Sequence, residues 1–208
     1  ECGAFKQSSI EKAIFPSTVT KICTEAFSYC RNLRKVEFKH DSAIEIFDKS
    51  AFAYSSIENI SIPINLKKIC KRVFYECKNL KKVSIPLDSK LQIIGKESFY
   101  KTPTECITLP PSLIIIGDSA FAGCKNLQRV EIDEKSELKT IEGDAFYNTS
   151  IKSFLIPSHV TSIGIKAFNT FTLKIIEIQG NSKLHIDANM FQHNTDIIIF
   201  IPYKQLNS

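Results

Sequence analysis

Phenylalanine recurs along the chain at nearly constant intervals, each time between a short polar stretch and a segment of alternating apolar and polar residues. The nine positions of this anchor residue are Phe5, Phe27, Phe52, Phe74, Phe99, Phe121, Phe146, Phe168 and Phe191. The steps between successive anchors are 22, 25, 22, 25, 22, 25, 22 and 23 residues, so neighbouring steps usually sum to 47. A fixed period in this range is typical of a solenoid, in which each coil packs on its neighbours.

Each coil contains two segments with the pattern of a short β-strand. One lies shortly before the anchor, as at Ile115-Ile116, and one follows it, as at Val83-Ser84-Ile85. Alternation with a period of two, rich in β-branched residues, is typical of half-buried strands. Between the strands we expect a short 3₁₀ or α turn that carries the anchor Phe. The Phe, and a Leu or Ile five or six residues later, should point inward into one continuous core.

These patterns predict a mainly β solenoid, formed by a single domain over residues 1–208 with alternating 22- and 25-residue coils. We expect a right-handed solenoid of about nine coils, with a truncated first coil and a terminal coil or cap over residues 192–208. The main parallel sheet should lie on the concave face. The chain begins inside a repeat, which indicates a mature product or a fragment of a longer solenoid.

The outward residues of the long strands predict the surface that binds a partner. Counting back from the last inward residue of each strand gives an array of Lys35, Glu37, Asn59, Ser61, Lys82, Ser84, Cys106, Thr108, Arg129, Glu131, Ser153, Leu155, Ile175, Glu177, Ile198 and Phe200. The array is polar and mixed in charge in its middle and apolar at its carboxyl end. That apolar end is either an exposed contact site or is covered by the tail after Pro202, with Tyr203 and Leu206.

The net charge of +5 is unevenly distributed along the chain. Residues 1–104 carry 18 Lys and Arg against 11 Asp and Glu, whereas residues 105–208 carry 9 against 11. A basic half can attract sulfated glycans, acidic proteins, anionic membranes or nucleic acid, or it can simply keep the protein soluble. We retain a sulfated glycan as a candidate partner of this half, and we predict no nucleic-acid binding and no membrane insertion.

Five of the seven cysteines follow the repeat. Cys30, Cys77 and Cys124 lie three residues after an anchor, and Cys23 and Cys70 lie four residues before one. Residues two coils apart are separated by roughly 10 Å if coils stack at strand spacing, which exceeds the Cα separation of about 7 Å that a disulfide can bridge. We therefore expect buried free thiols, with a Cys23–Cys30 or Cys70–Cys77 bridge as the alternative.

The sequence lacks the patterns that carry catalysis or cofactor binding. The histidines occupy unrelated repeat positions and are expected on the surface: His40, His159, His185 and His193. There is no Gly-rich phosphate loop, no Gly-x-Ser-x-Gly elbow and no Cys-x-x-Cys pair. We predict no catalytic residue, no metal and no cofactor. Two glycosylation sequons begin at Asn59 and Asn148, and the second is the more plausible acceptor because it lies in a turn.

The repeat resembles the leucine-rich repeats of the BspA-like family, in which Ala-Phe is followed by Cys, Leu and a Val-x-Ile strand. The resemblance covers essentially the whole chain, and Ala120-Phe121 with Cys124 and Leu127 shows the pattern in full. Phe171 replaces the Cys in one coil, and the shorter coils lack the Cys as well. The family contains surface-exposed or secreted proteins of bacteria and mucosal protists that are associated with adhesion to host cells and matrix proteins.

The resemblance implies a leucine-rich-repeat solenoid that acts as a non-enzymatic protein-recognition module. It implies a cell-surface or secreted, adhesin-type protein whose partner is a host surface or matrix protein. The alternative is an intracellular, cytoplasmic interaction scaffold. That alternative is favoured by the absence of a visible signal segment and by thiols that have no evident disulfide partner.

Overall fold

Two stacks of short parallel β-strands define the structure, a computed structural model that describes residues 1–180, 184–185, 187–191 and 196–201. The long strands are β1 (Lys12–Phe15), β3 (Lys35–Phe38), β5 (Asn59–Ser61), β7 (Lys82–Ser84), β9 (Cys106–Leu109), β11 (Arg129–Ile132), β13 (Ser153–Ile156), β15 (Ile175–Ile178) and β16 (Ile198–Phe200). The short strands are β2 (Lys21–Ile22), β4 (Ile46–Phe47), β6 (Lys68–Ile69), β8 (Ile93–Ile94), β10 (Ile115–Ile116), β12 (Thr140–Ile141) and β14 (Ser162–Ile163). The chain is a parallel-strand β-solenoid of about eight turns with almost no helix, which confirms the predicted fold class.

Each coil contributes one long and one short strand, and the two kinds of strand form separate sheets. The short strands make a single seven-stranded sheet, whereas the long strands pair in groups of four, two and three. Contacts between β7 and β9 and between β11 and β13 join the three groups into one surface.

The alternation along the long strands fixes their register. Ile60 pairs with Val83, and Ile107 pairs with Val130; all four side chains are buried. A slip of one residue would turn these side chains to the solvent and bury their polar neighbours. The pattern of the sequence therefore specifies which residue of each strand enters the core.

The anchor phenylalanines form an unbroken inner stack along the solenoid. Centroids of successive rings lie 5.1 to 6.1 Å apart in stacked geometry from Phe5 to Phe191. Aromatic pairs at such separations contribute roughly 0.5–1.5 kcal/mol each beyond the area that they bury. From Phe27 to Phe168 the rings belong to one buried hydrophobic cluster that extends from Ile22 to Met190, so the predicted continuous core is confirmed there. Phe191 packs against this cluster, whereas Phe5 is 48% exposed at its end.

The segment that carries each anchor is a series of β-turns. In the second coil, the N–H of Ser28 donates to the carbonyl of Glu25 at 3.1 Å, within the coil. The N–H of Phe27 instead donates to the carbonyl of Ala51 in the next coil, at 2.7 Å. Because successive N–H groups donate alternately within the coil and to the next coil, the turn lacks the consecutive hydrogen bonds of a helix. Among the described residues, the predicted 3₁₀ turn is found at Ala188–Phe191.

Positive φ angles are the backbone signature of these turns. In the second coil they occur at Glu25 (56°) and Tyr29 (59°), each the third residue of a turn. Among the residues that the structure describes, thirteen other than glycine adopt such angles, although positive φ is uncommon outside glycine. The solenoid holds them there because each turn must return the next amide to the neighbouring coil.

The contrast between inner and terminal rings allows a test of the stack. We expect Phe74→Ala to lower the free energy of unfolding by about 3–5 kcal/mol, the usual cost of emptying a buried Phe site. Phe74 is fully buried between Phe52 and Phe99. Phe5→Ala is the control, because that ring is 48% exposed and stacks on Phe27. Urea denaturation followed by circular dichroism measures both, and equal losses at the two positions would contradict the stack as the main source of stability.

Candidate interaction surface

The outward side chains of the long strands form one surface, which we call the long-strand face. Register pairs align its residues in two rows along the solenoid axis. The first row is Lys12, Lys35, Asn59, Lys82, Cys106, Arg129, Ser153, Ile175 and Ile198. The second row is Ile14, Glu37, Ser61, Ser84, Thr108, Glu131, Leu155, Glu177 and Phe200.

All members of the array predicted from the sequence lie in these two rows, and none of them is buried. The structure adds Lys12 and Ile14 of the first long strand, which pair with Lys35 and Glu37. Ile14 is 57% exposed. The sequence of this strand, Lys-Ala-Ile-Phe, does not alternate because Ile14 is apolar, and the proline that follows it, as in other coils, was the signal that could have found it. That these rows bind a partner remains a prediction.

A three-residue ion network occupies the amino-terminal end of the face. The Glu37 carboxylate lies 2.8 Å from the ammonium of Lys12 and 2.6 Å from that of Lys35. Hydrogen bonds from Lys12 and Lys35 hold the pKa of Glu37 below its usual range. All three groups are solvent-accessible, so salt should screen their interaction. The network leaves one net positive charge for a ligand to meet.

The middle of the face is a shallow depression of about 870 Å³ over β7, β9 and β11. Lys82, Cys106 and Arg129 follow one another along its floor, one coil apart. Glu131 accepts a hydrogen bond from the Thr108 hydroxyl at 2.7 Å and lies 3.5 Å from the Arg129 guanidinium. Lys82 forms no ion pair within the described part of the chain. The depression therefore offers a cation to an acidic partner.

The carboxyl-terminal end of the face is apolar and open. Ile175, Ile198 and Phe200 are 38%, 57% and 54% exposed, and Leu155 is half-buried beside them. Apolar residues clustered on a surface often mark a contact site. The tail after Pro202, which the sequence indicates as a possible cover of this end, lies outside the described residues.

A BspA type leucine-rich repeat region is the family description that matches this sequence, over residues 1–103 and 92–207. Together the two matches take in nearly the whole chain. The chain belongs to the BspA-type leucine-rich repeat family. No curated protein matches the sequence at a significant level.

Solved structures of bacterial leucine-rich repeat proteins share the fold of this BspA-type chain. A protein from Bacteroides ovatus is 26% identical with a TM-score of 0.75, over 91% of this chain and 49% of its own length. A leucine-rich repeat protein of T. pallidum is 22% identical with a TM-score of 0.60, over 74% of this chain and 69% of that one. A leucine-rich cell surface protein of Faecalibacterium prausnitzii is 24% identical with a TM-score of 0.57, over 86% and 41%. This chain thus spans about half the length of the Bacteroides protein.

The BspA-type coils distribute their chemistry-bearing side chains rather than cluster them. Within residues 1–180, 184–185, 187–191 and 196–201, no three His, Cys, Asp or Glu side chains could together hold a metal ion. His40, His159 and His185 are exposed, whereas His193 lies outside the described residues. In the same part of the chain, no helix is long and apolar enough to cross a membrane.

The two sequons lie on different surfaces. Asn59 is exposed on the long-strand face, in β5, between Lys35 and Lys82. Asn148 lies in an anchor turn with a φ of 53°, partly exposed. A glycan on Asn59 would cover part of the long-strand face, whereas one on Asn148 would leave that face free.

The repeat-locked cysteines are reduced and contribute to the core. Cys30, Cys77 and Cys124 are buried. The thiol of Cys77 donates to the carbonyl of Phe52, the anchor one coil earlier, at 3.1 Å. A hydroxyl of the shorter coil, that of Ser55, lies 3.4 Å from the same sulfur. The prediction of free thiols is confirmed, because all seven cysteines are free, including the pairs proposed as alternative bridges. Burial is confirmed for Cys30, Cys77 and Cys124, whereas the prediction was wrong for Cys23 and Cys70, which are only half-buried.

Burial makes two of these thiols poor nucleophiles. Desolvation raises the pKa of Cys77 and of Cys124 to about 11. The thiolate is the reactive form, so burial and the raised pKa both lower the reactivity of these two thiols in the folded protein. Cys2 is exposed and Cys106 is half-buried on the long-strand face. Cys2 and Cys106 are therefore more accessible to a thiol reagent than Cys77 and Cys124 are.

We expect a pH dependence of stability from Cys77 and Cys124. In the unfolded chain both ionise near pH 8.5, whereas the folded protein resists ionisation up to about pH 11. Their contribution to stability is thus complete below about pH 8.5 and is lost as the pH rises toward 11. Urea denaturation at pH 8, 9 and 10 should show the decline for the wild type and a shallower one for Cys77→Ala/Cys124→Ala. Parallel declines would contradict the assignment.

Proposed function

We propose that the protein is a non-enzymatic recognition module whose long-strand face binds a protein ligand at the cell surface or in secreted form. The observation that carries this proposal is the face itself. It presents two rows of accessible side chains across nine strands. Leucine-rich repeat proteins are typically interaction modules without catalytic activity, which supports the same function.

The size of the face limits how it can bind. Nine strands at about 4.8 Å spacing and four residues at about 3.3 Å give roughly 500 Å² in projection. A standard protein interface buries about 800 Å² on each partner. A specific ligand would therefore reach beyond the strands onto the flanking loops, or binding would depend on several copies acting together.

The distribution of side chains suggests how a ligand is oriented. The apolar end at Ile198 and Phe200 supplies the anchors. The cations Arg129 and Lys82, three and five coils away from that end, meet acidic groups. Charged contacts of this kind govern the rate of encounter and the register more than the final affinity. A host surface or matrix protein with an apolar patch next to acidic residues fits this order.

The apolar anchors give the direct test. We expect Ile198→Ser/Phe200→Ser to weaken capture of a matrix-protein ligand roughly tenfold or more, because buried aromatic anchors dominate interfaces. Ile165→Ser/Phe171→Ser is a matched control, since those side chains are 63% and 78% exposed but lie outside the face. Surface plasmon resonance against purified matrix proteins measures binding, and thermal unfolding is recorded in parallel. Unchanged capture with a lower thermal midpoint would show that the two residues are covered rather than used for binding.

The compartment separates the proposal from an intracellular interaction scaffold. Surface or secreted members are typical of the BspA-like family, which supports the extracellular assignment, whereas the free thiols of the chain suit a reducing compartment equally well. We expect a membrane-impermeant amine reagent to label the protein on intact source cells, or the protein to be found in their medium. Labelling only after lysis, with none in the medium, would establish the intracellular alternative.

The basic amino-terminal half supports a second ligand class. Residues 1–104 carry 18 Lys and Arg against 11 Asp and Glu. We propose that this half binds a sulfated glycan, since clustered cations raise the local concentration of a polyanion.

A further inference from the structure

A ladder of four tyrosines runs along the outside of the anchor turns. The ring centroids of Tyr29 and Tyr54 lie 4.4 Å apart, and those of Tyr75 and Tyr100 lie 4.9 Å apart, both pairs stacked. Tyr54 meets Tyr75 edge to face at 5.4 Å. All four rings are half-buried. We call these residues the tyrosine ladder; it lies in the basic half of the chain, on the turns rather than on the long-strand face.

Most faces of the rings in the ladder are occupied by neighbouring rings or cations. Tyr54 has Tyr29 on one side and Tyr75 on the other. The Arg72 guanidinium lies 5.1 Å from the centroid of Tyr75, and the Lys101 ammonium lies 5.0 Å from that of Tyr100. These contacts have the geometry of cation–π interactions. The ring and cation contacts together cover much of the ring surface, and the phenol groups at the edge of the ladder can exchange hydrogen bonds with a ligand.

A glycine in the next coil makes room for the contact between Lys101 and Tyr100. Gly123 occupies the same turn position as Lys101, one coil later, and has a φ of 74°. A Cβ atom there would lie 2.9 Å from the Cγ of Lys101. The glycine thus leaves room for the lysine side chain to lie over Tyr100, which closes the ladder at that end.

Exposed cations flank the ladder at every second coil. Arg31 and Lys78 occupy equivalent positions, each directly after a buried cysteine of the core. Two coils separate them, or about 10 Å at strand spacing. The Ser56 hydroxyl donates to the carbonyl of Arg31, so the backbone that carries this cation is tied to the next coil. The cations are therefore presented at a fixed interval, similar to the length of a disaccharide.

Two shallow depressions connect these cations with the ladder. The first, of about 340 Å³, is lined by Tyr29, Arg31 and Asn32 among others. The second, of about 280 Å³, is lined by Tyr54, Arg31 and Lys78 among others. Arg31 forms no ion pair in the described part of the chain. Its guanidinium is therefore free to bind an anion bidentately.

One carboxylate lies in this region and lowers its positive potential. Glu76 lines the second depression, 3.9 Å from the Lys78 ammonium. It is a loose contact, and Arg31 is left unopposed. The depressions together thus retain a positive charge.

We propose that the tyrosine ladder and its flanking cations bind a sulfated polysaccharide that lies along the solenoid axis. Arg31 and Lys78 would hold its sulfate groups, while phenol and Asn side chains would hydrogen-bond to its hydroxyl groups. Single-stranded nucleic acid is the competing polyanion, but its binding depends on open aromatic faces on which bases stack. Most of the ring faces of the ladder are in contact with a neighbouring ring or cation, which leaves little surface for stacked bases. The inference rests on the glycan part of the proposed function and gives that ligand a site separate from the long-strand face.

Binding of a heparin-derived octasaccharide, measured by isothermal titration calorimetry at two salt concentrations, tests the proposal. We expect Arg31→Gln/Lys78→Gln to weaken binding about tenfold or more, since charge-assisted hydrogen bonds are the strong contacts. The control Lys39→Gln/Lys68→Gln removes the same charge from the same half of the chain and should have little effect. Glu76→Gln should tighten binding.

A conservative pair of variants separates binding from structure. Tyr29→Phe/Tyr54→Phe keeps the stacked rings and removes two hydroxyl groups. We expect several-fold weaker octasaccharide binding with an unchanged thermal midpoint. Unchanged octasaccharide binding would overturn the role of the phenol groups, whether or not the thermal midpoint changes.

Each remaining outcome overturns a defined part of the proposal. Absence of octasaccharide binding by the wild type would overturn both the glycan function and the site. Binding that is lost only in Lys35→Gln/Lys82→Gln would retain the glycan function and move it to the long-strand face. Equal binding of single-stranded DNA, with the same dependence on Arg31 and Lys78, would overturn the choice of a sulfated sugar.

Discussion

Stacking of the anchor rings requires every coil to have the same cross-section. Successive rings such as Phe74 and Phe99 lie 5.2 Å apart, close to the spacing of about 4.8 Å between paired strands. The amide of Phe74 donates to the carbonyl of Ser98 in the next coil at 2.7 Å, which holds the two spacings together. A coil that departed from this outline would break ring contacts and backbone hydrogen bonds on both of its sides. Inward positions are therefore restricted, and the outward positions are left for function.

The alternation of 22 and 25 residues gives the surface a period of two coils. The same alternation appears in the core, where a cysteine such as Cys77 faces a hydroxyl from the shorter coil, that of Ser55. Lys78 follows Cys77 directly, and Arg31 and Lys125 occupy the equivalent positions two coils away on each side. The cations on the turns are thus about 10 Å apart as a consequence of core packing. A ligand with a regular repeat matches such a surface better than a compact one does.

The sequence was sufficient to predict the core, because anchor spacing and strand alternation are both consequences of burial. Register pairs such as Ile60 with Val83 confirm the inward positions, and the outward array followed by counting from them. The anchor turns could not be predicted, because their hydrogen bonds run alternately to the next coil, and such contacts leave no local pattern. The tyrosine ladder was missed for a related reason. Tyr54 lies two residues after its anchor and Tyr75 only one, so a search for a fixed offset does not align them.

Two ligand surfaces on one core, as proposed above, would have a consequence for affinity. The long-strand face alone offers roughly 500 Å² in projection, which favours modest binding. The tyrosine ladder lies on the turns, so a glycan held there would not occupy the long-strand face. When the protein ligand and the sulfated glycan belong to one surface, binding of the first raises the effective concentration of the second. The module would then distinguish between target surfaces. It would stay bound to a surface that carries both ligands and dissociate from one that carries only one of them.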